Sequence, residues 1–130
     1  KRKRRCGWFD TVLVGQSIAI NGITDVVLTK LDVLDQLEEI KVCVGYEAKN
    51  KKYSYLPFDE NIHNLLMPVY ETIPGWQKST FGLTSWDDLP KKAQDYISFL
   101  ESKIQKNISI ISTGPDRAHT IDRNNLLGNN

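Results

Sequence analysis

The chain has 130 residues, 40% of them hydrophobic and 25% charged, which is the size and balance of one globular domain and excludes fibrous and disordered classes. Its 17 basic and 16 acidic residues leave a net charge of +1, so no overall field draws it to nucleic acid or to an anionic membrane. No apolar run approaches the roughly 20 residues that cross a bilayer, and the basic start lacks the apolar core of a signal peptide, so a soluble intracellular protein is the expectation.

Lys1-Arg2-Lys3-Arg4-Arg5 runs directly into Cys6-Gly7-Trp8 with no initiator Met in front, which leads us to expect a piece excised from a longer chain. Asp10 is placed to cap a helix over residues 11–20, with Val12, Val14, Ile18 and Ala19 as its apolar stripe and Asn21-Gly22 as its end. Val26-Val27-Leu28-Thr29 is short, β-branched and bounded by turn residues, the pattern of a strand buried on both faces in a parallel sheet. Lys30-Leu31-Asp32 then falls at the C-terminal end of that strand, where open α/β sheets bind their ligands.

Residues 40–46 and 52–56 read as a hairpin joined through 48–51. Residues 69–73 predict another short strand, followed by a Pro74-Gly75 turn and a partly buried Trp76. Residues 85–89, with Asp87 and Asp88, offer caps for a helix over 90–106, on which Ala93, Tyr96, Ile97, Leu100 and Ile104 share one face. Residues 108–111 make a last buried strand, ending in the loop Ser112-Thr113-Gly114-Pro115-Asp116-Arg117. The Asn-rich tail, residues 122–130, is expected to fray.

Two strand-end segments carry candidate chemistry. Thr29-Lys30-Leu31-Asp32 is similar to the N-K-x-D guanine-reading signature of GTPases, and the chemistry has a clear basis. Guanine presents N1–H and an exocyclic amino group on one edge, and a single carboxylate accepts both as a charge-assisted pair. Adenine has an acceptor at N1, so Asp32 would face a lone pair, at a cost of about 1–3 kcal/mol for each unpaired buried group. The Lys30 stem can lie across the purine face. Taken alone, a strand-terminal Lys and Asp more often form a surface salt bridge. Ser112, Thr113 and Gly114 can complete a pocket around a base with hydroxyls, carbonyls and a close-approach glycine, although such a stretch is more often an ordinary turn.

Cys6 and Cys43 match no metal or redox spacing and read as free thiols. His63 and His119 have no partners at ligand spacing, so neither a metal site nor a nucleophile–base pair is expected within the chain, and both read as surface or core residues. Trp8, Trp76 and Trp86 read as packing residues. The basic run is by default a solvated face. It is cancelled by the acidic remainder and lacks aromatic interleaving, which argues against nucleic acid.

Four segments read together are far more specific: Arg2-Lys3-Arg4-Arg5-Cys6-Gly7-Trp8-Phe9-Asp10, Leu28-Thr29-Lys30-Leu31-Asp32-Val33-Leu34-Asp35, Tyr70-Glu71-Thr72-Ile73-Pro74-Gly75-Trp76 and Ile111-Ser112-Thr113-Gly114-Pro115-Asp116-Arg117. In this order and spacing the chain closely resembles the C-terminal part of adenylosuccinate synthetases, from Arg2 to about Ile121, so residues 1–130 are expected to be such a C-terminal portion. The resemblance implies an α/β fold, here a fragment of a large mostly parallel sheet with surrounding helices. It also implies a GTP-dependent ligase that joins IMP to L-aspartate, giving adenylosuccinate, GDP and phosphate on the way to AMP, with magnesium as cofactor. In that chemistry GTP phosphorylates O6 of IMP and the aspartate amine displaces the phosphate.

Carried onto this chain, the resemblance makes Lys30, Leu31 and Asp32 the guanine-binding segment, and Ser112, Thr113 and Gly114 a second loop on the same base. Arg2, Lys3 and Arg4 fall at the end of the aspartate- and IMP-binding loop, with Arg4 also reaching the GTP side. Lys1 stands where the family has glycine and is not assigned. The phosphate loop, the catalytic aspartate and the catalytic histidine belong to the family's N-terminal part, which would also hold magnesium. No catalytic residue is therefore expected here, and the isolated chain is expected to be inactive and to need the rest of its enzyme. A cytoplasmic homodimer without nucleic-acid or membrane partners completes the expectation. The rivals are a non-catalytic guanine-nucleotide module and a nucleic-acid role for the basic run.

Overall fold

The computed structural model describes residues 8–57 and 59–124. Along these residues the order is β1 (Phe9–Asp10), α1 (Thr11–Asn21), β2 (Val26–Leu28), β3 (Glu39–Ala48), β4 (Lys51–Tyr53), α2 (Glu60–His63), β5 (Met67–Pro74), α3 (Lys91–Ile104), β6 (Ile108–Ser112) and β7 (Thr120–Asp122). The α/β class expected from sequence is the class observed.

Local chemistry accounts for the element ends. Asp10 caps α1 by accepting from Leu13 N–H, and Gly22 closes it in the left-handed region at φ 65°, donating to Ile18 O. Thr11, Val12 and Ile18 are buried, whereas Ala19, expected in the apolar stripe, lies in an exposed last turn with Ile20. Lys49 and Asn50 both take positive φ between β3 and β4, the tight-turn geometry that matches the twist of paired strands.

The strands form two sheets. β3 is central to the first, parallel to β1 with Phe9 opposite Val42, and antiparallel to β4 and β5. The second has the order β2-β6-β7, with β2 parallel to β6 and β7 antiparallel to it. The parallel pairing expected of residues 26–29 is present. Burial on both faces is not, since Val27 is 55% exposed, because β2 pairs with β6 alone among the described strands.

α3 presents Ala93, Tyr96, Ile97, Leu100 and Ile104 to the core, where they meet Leu28, Ile40, Val42, Ile108, Ile111 and Ile121. All five positions were legible from helical spacing. The caps were not. Asp87 and Asp88 sit in a 3-10 turn at Trp86–Asp88, while the cap of α3 is Pro90, which makes no side-chain cap bond. The extended Leu89 and Pro90 carry the two acids away from the helix start, as expected for a residue ahead of proline.

Trp76 is buried rather than partly buried, because its indole N–H has an internal acceptor, Asp35 Oδ1 at 2.8 Å. The turn before it needs glycine, since a Cβ on Gly75 would lie 2.0 Å from Leu37 O. β7 was unexpected. Asp122 of the expected tail ends β7, and just past it Arg123 N–H donates to Ser109 O while Asn124 Nδ2 donates to Ser109 Oγ. Residues 125–130 lie outside the described residues.

Candidate functional site

β2 and β6 run parallel with Leu28 opposite Ile111. Thr29-Lys30-Leu31-Asp32 and Ser112-Thr113-Gly114 therefore leave the same, C-terminal, end of neighbouring strands, where open α/β sheets place ligands. Two segments about eighty positions apart in sequence become neighbours by register alone.

Lys30 turns the chain at φ 60°, in the left-handed region. A non-glycine residue there is held by its surroundings at a cost of about 1–3 kcal/mol, and such residues cluster at functional sites. The turn drives Leu31 into the core at 1% exposure and starts the 3-10 turn Leu31–Leu34, from which Asp32 emerges half-buried. Leu31 thus has only its backbone to offer a ligand beyond the core. Lys30 and Asp32 form no salt bridge with each other or with any other described residue.

A second acid in the same segment holds the frame. The buried Asp35 accepts from Trp76 Nε1, from Thr80 N–H and from Thr80 Oγ1. The segment it captures continues to the other loop, where Gly82 N–H donates to Thr113 O and Thr113 Oγ1 donates to Leu83 O. Thr113 N–H donates to His119 O, so this fully buried residue has its polar groups engaged inside the loop. Ser112 Oγ donates to Gly114 O. Residues 76–83 therefore tie the two strand-end loops to one scaffold.

His119 lies inside this loop cluster. A Cβ on Gly114 would be 2.4 Å from its Nδ1, and its ring meets Phe81 edge-on at 4.9 Å between centroids. Nδ1 is buried without a hydrogen-bond partner among the described residues. A cavity of about 270 Å³ opens beside the first loop, lined by Trp8 and Phe9 on one side and by Leu28, Thr29, Lys30 and Leu31 on the other, with Tyr96 beneath. Asp32 and residues 112–114 do not line it.

Arg2, Lys3 and Arg4, assigned to the substrate loop, lie outside the described residues, as does Cys6. Cys43 is a buried free thiol whose pKa is raised by burial and by the Asp10 carboxylate, so it stays protonated. The Tyr46 hydroxyl donates to Asp10 Oδ2 and is raised far above its usual range, first by burial and then by that bond. His63 is exposed. Among the described residues no three His, Cys, Asp or Glu side chains converge, and no helix is long and apolar enough to cross a membrane.

The adenylosuccinate synthetase family model matches residues 1–121. The chain belongs to the adenylosuccinate synthetase family. It is 53% identical over 124 residues to the adenylosuccinate synthetase of Ehrlichia canis, covering 95% of this chain and 29% of that protein. With the Marinobacter nauticus protein of the same name it shares 50% identity over 127 residues, 98% of this chain and 30% of the other. The fully ligated adenylosuccinate synthetase structure from Plasmodium falciparum superposes with a TM-score of 0.83 at 37% identity, over 94% of this chain and 30% of that one. The chain thus spans about three-tenths of the length of these relatives.

Sequence reasoning named both strand-end loops but missed Asp35, Thr80, Gly82 and His119 as parts of the same cluster. Asp35 stands in the quoted Leu31-Asp32-Val33-Leu34-Asp35 motif, and a second acid three residues after the base-reading candidate was the available signal. Residues 77–83 carry no periodicity, and His119 was read without a partner because Gly114 and Phe81 become its neighbours only in the fold.

Proposed function

We propose that this chain is the guanine-recognising portion of a GTP-dependent ligase that converts IMP and L-aspartate to adenylosuccinate, GDP and phosphate. The observation that supports it most is the parallel register of β2 and β6, which brings Lys30 and Asp32 to the same sheet end as Ser112 and Gly114. Family membership supports guanine as the ligand of that sheet end. The Asp32 carboxylate, half-buried and outside any described salt bridge, accepts guanine N1–H and the 2-amino group together, and it repels the N1 lone pair of adenine. Lys30 covers the base face. Ser112 and Gly114 close the other edge, and Leu31 and Thr113 hold the two loops through the core.

Arg2, Lys3 and Arg4 supply the cationic forks for aspartate and IMP, with Arg4 also facing GTP. The phosphate cradle, magnesium and the proton-transfer groups come from the remainder of the enzyme, so the isolated chain is inactive. The working form in this reading is a cytoplasmic homodimer in purine biosynthesis.

The test is nucleotide preference in a chimera in which this chain replaces the matched region of the Ehrlichia canis protein. Asn at position 32 offers one acceptor and one donor, which suit the N1–H and 2-oxo groups of xanthine better than the two donors of guanine. Asp32→Asn is expected to raise KM for GTP by at least roughly tenfold, the equivalent of one lost charged hydrogen bond, and to improve use of XTP. An unchanged preference would remove Asp32 from base reading.

A further inference from the structure

We propose that His119 is a positioning residue for the guanine-binding loop, its imidazole pressed against Gly114 and packed against Phe81 so that the backbone of residues 112–114 is held where it meets the base. The inference rests on the guanine reading of that loop and adds to it the residue that sets the loop's shape.

Gly114 and Phe81 define the ring's seat. On one side the ring lies so close to Gly114 that a Cβ there would stand 2.4 Å from Nδ1 and 3.0 Å from Cγ, a distance no side chain tolerates. Gly82, at φ 77°, leaves room beside the ring: a Cβ there would lie 3.7 Å from Cδ2 and 3.8 Å from Nε2, ordinary contact for a methyl that glycine lacks. Over the remaining edge Phe81, 54% exposed, packs at 4.9 Å. The backbone of the same residue closes the loop, because His119 O accepts from Thr113 N–H and His119 N–H donates to Asp116 O. One residue therefore fixes the 113–119 loop by its backbone and presses on Gly114 by its ring.

The buried ring nitrogen shows that hydrogen bonding is not what the ring supplies. Nδ1 has no partner among the described residues, and an unsatisfied buried nitrogen is less favourable than a carbon in the same place. The contribution of His119 is thus the shape and stiffness of a flat ring beside a glycine, and a phenyl ring should supply both.

The experiment measures KM and kcat in the chimera with the Ehrlichia canis protein for His119→Ala, His119→Phe, Gly114→Ala and the Gly114→Ala/His119→Ala double variant, with Asp32→Asn alongside. His119→Ala is expected to raise KM for GTP by roughly tenfold, the loss of one well-made contact, while kcat and the KM values for IMP and aspartate stay within about twofold. His119→Phe restores a low KM for GTP. Gly114→Ala raises KM for GTP in the parent chimera and by a smaller factor in the His119→Ala background, because the ring that the new methyl strikes is gone. An unchanged KM for GTP in His119→Ala, a parallel loss in kcat and every KM, no rescue by Phe, or strictly multiplicative effects of the two substitutions would each overturn the proposal. If Asp32→Asn also leaves KM for GTP unchanged, the guanine reading itself fails; if Asp32→Asn raises it and His119→Ala does not, only the positioning role fails.

Discussion

Asp35 takes both polar hydrogens of Thr80 on its carboxylate, the backbone N–H at 2.7 Å and the hydroxyl at 2.8 Å, across 45 positions of sequence. With Trp76 Nε1 as a third donor at 2.8 Å, this buried acid fastens the segment after β5 to the turn that carries Asp32. The same segment reaches Thr113 through Gly82 and Leu83. Asp35 is thus the joint between the two strand-end loops.

Removing that joint should be costly. Asp35→Ala strands three buried donors, each worth about 1–3 kcal/mol when left unpaired, so a destabilisation of at least about 3 kcal/mol is expected by denaturant unfolding of the chimera. Thr80→Val leaves Trp76 and the Thr80 N–H paired and should cost only about 1 kcal/mol. Equal losses for the two variants would show that the carboxylate is not the shared anchor.

Tyr96 gives a pH dependence with a defined sign. Burial in the core pushes its phenol up to about 12 from 10.0, so the fold favours the neutral form. Its stabilising contribution is complete below about pH 10 and is lost as pH rises from there through about 12. Tyr46, also raised, adds a loss of the same sign, so the comparison that isolates Tyr96 is with Tyr96→Phe. The stability difference between parent chimera and variant should be constant from pH 7 to 9 and should shift in favour of Phe above pH 10, measured by unfolding at each pH. A difference that stays flat to pH 11.5 would contradict a buried, raised phenol.

Arg2 carries a separate prediction, drawn from its place in the Arg2-Lys3-Arg4-Arg5-Cys6-Gly7-Trp8 motif. Arg2→Leu removes a guanidinium fork suited to a carboxylate, so KM for aspartate and IMP should rise by roughly tenfold or more while KM for GTP holds. A selective rise for GTP would reverse the assignment of this arginine.

What was legible in the sequence follows from how local each signal is. α1 was readable because Asp10 and Gly22 mark its ends within one turn, and the buried face of α3 because five apolar residues repeat at helical spacing. The Lys49 and Asn50 turn betrayed itself through its neighbours in the same hairpin. The guanine-site candidates were found as two strand ends, yet their adjacency depended on the Leu28 and Ile111 register, which no short window contains. Exposure of Val27 was hidden because a β-branched run reads alike on an edge and inside a sheet. Asp35 with Thr80, and Gly114 with His119, are long-range or loop-closed pairs whose partners carry no periodic signal, so only the folded chain brings them together.

The most direct test is adenylosuccinate formation from IMP and aspartate by the 130-residue chain alone and by its chimera with the remainder of the Ehrlichia canis protein, each supplied with GTP or with ATP. The account predicts product only from the chimera and only with GTP, since this chain brings the guanine-reading loops and the remainder brings the phosphate machinery. Product from the chain alone, or equal use of ATP by the chimera, would contradict it.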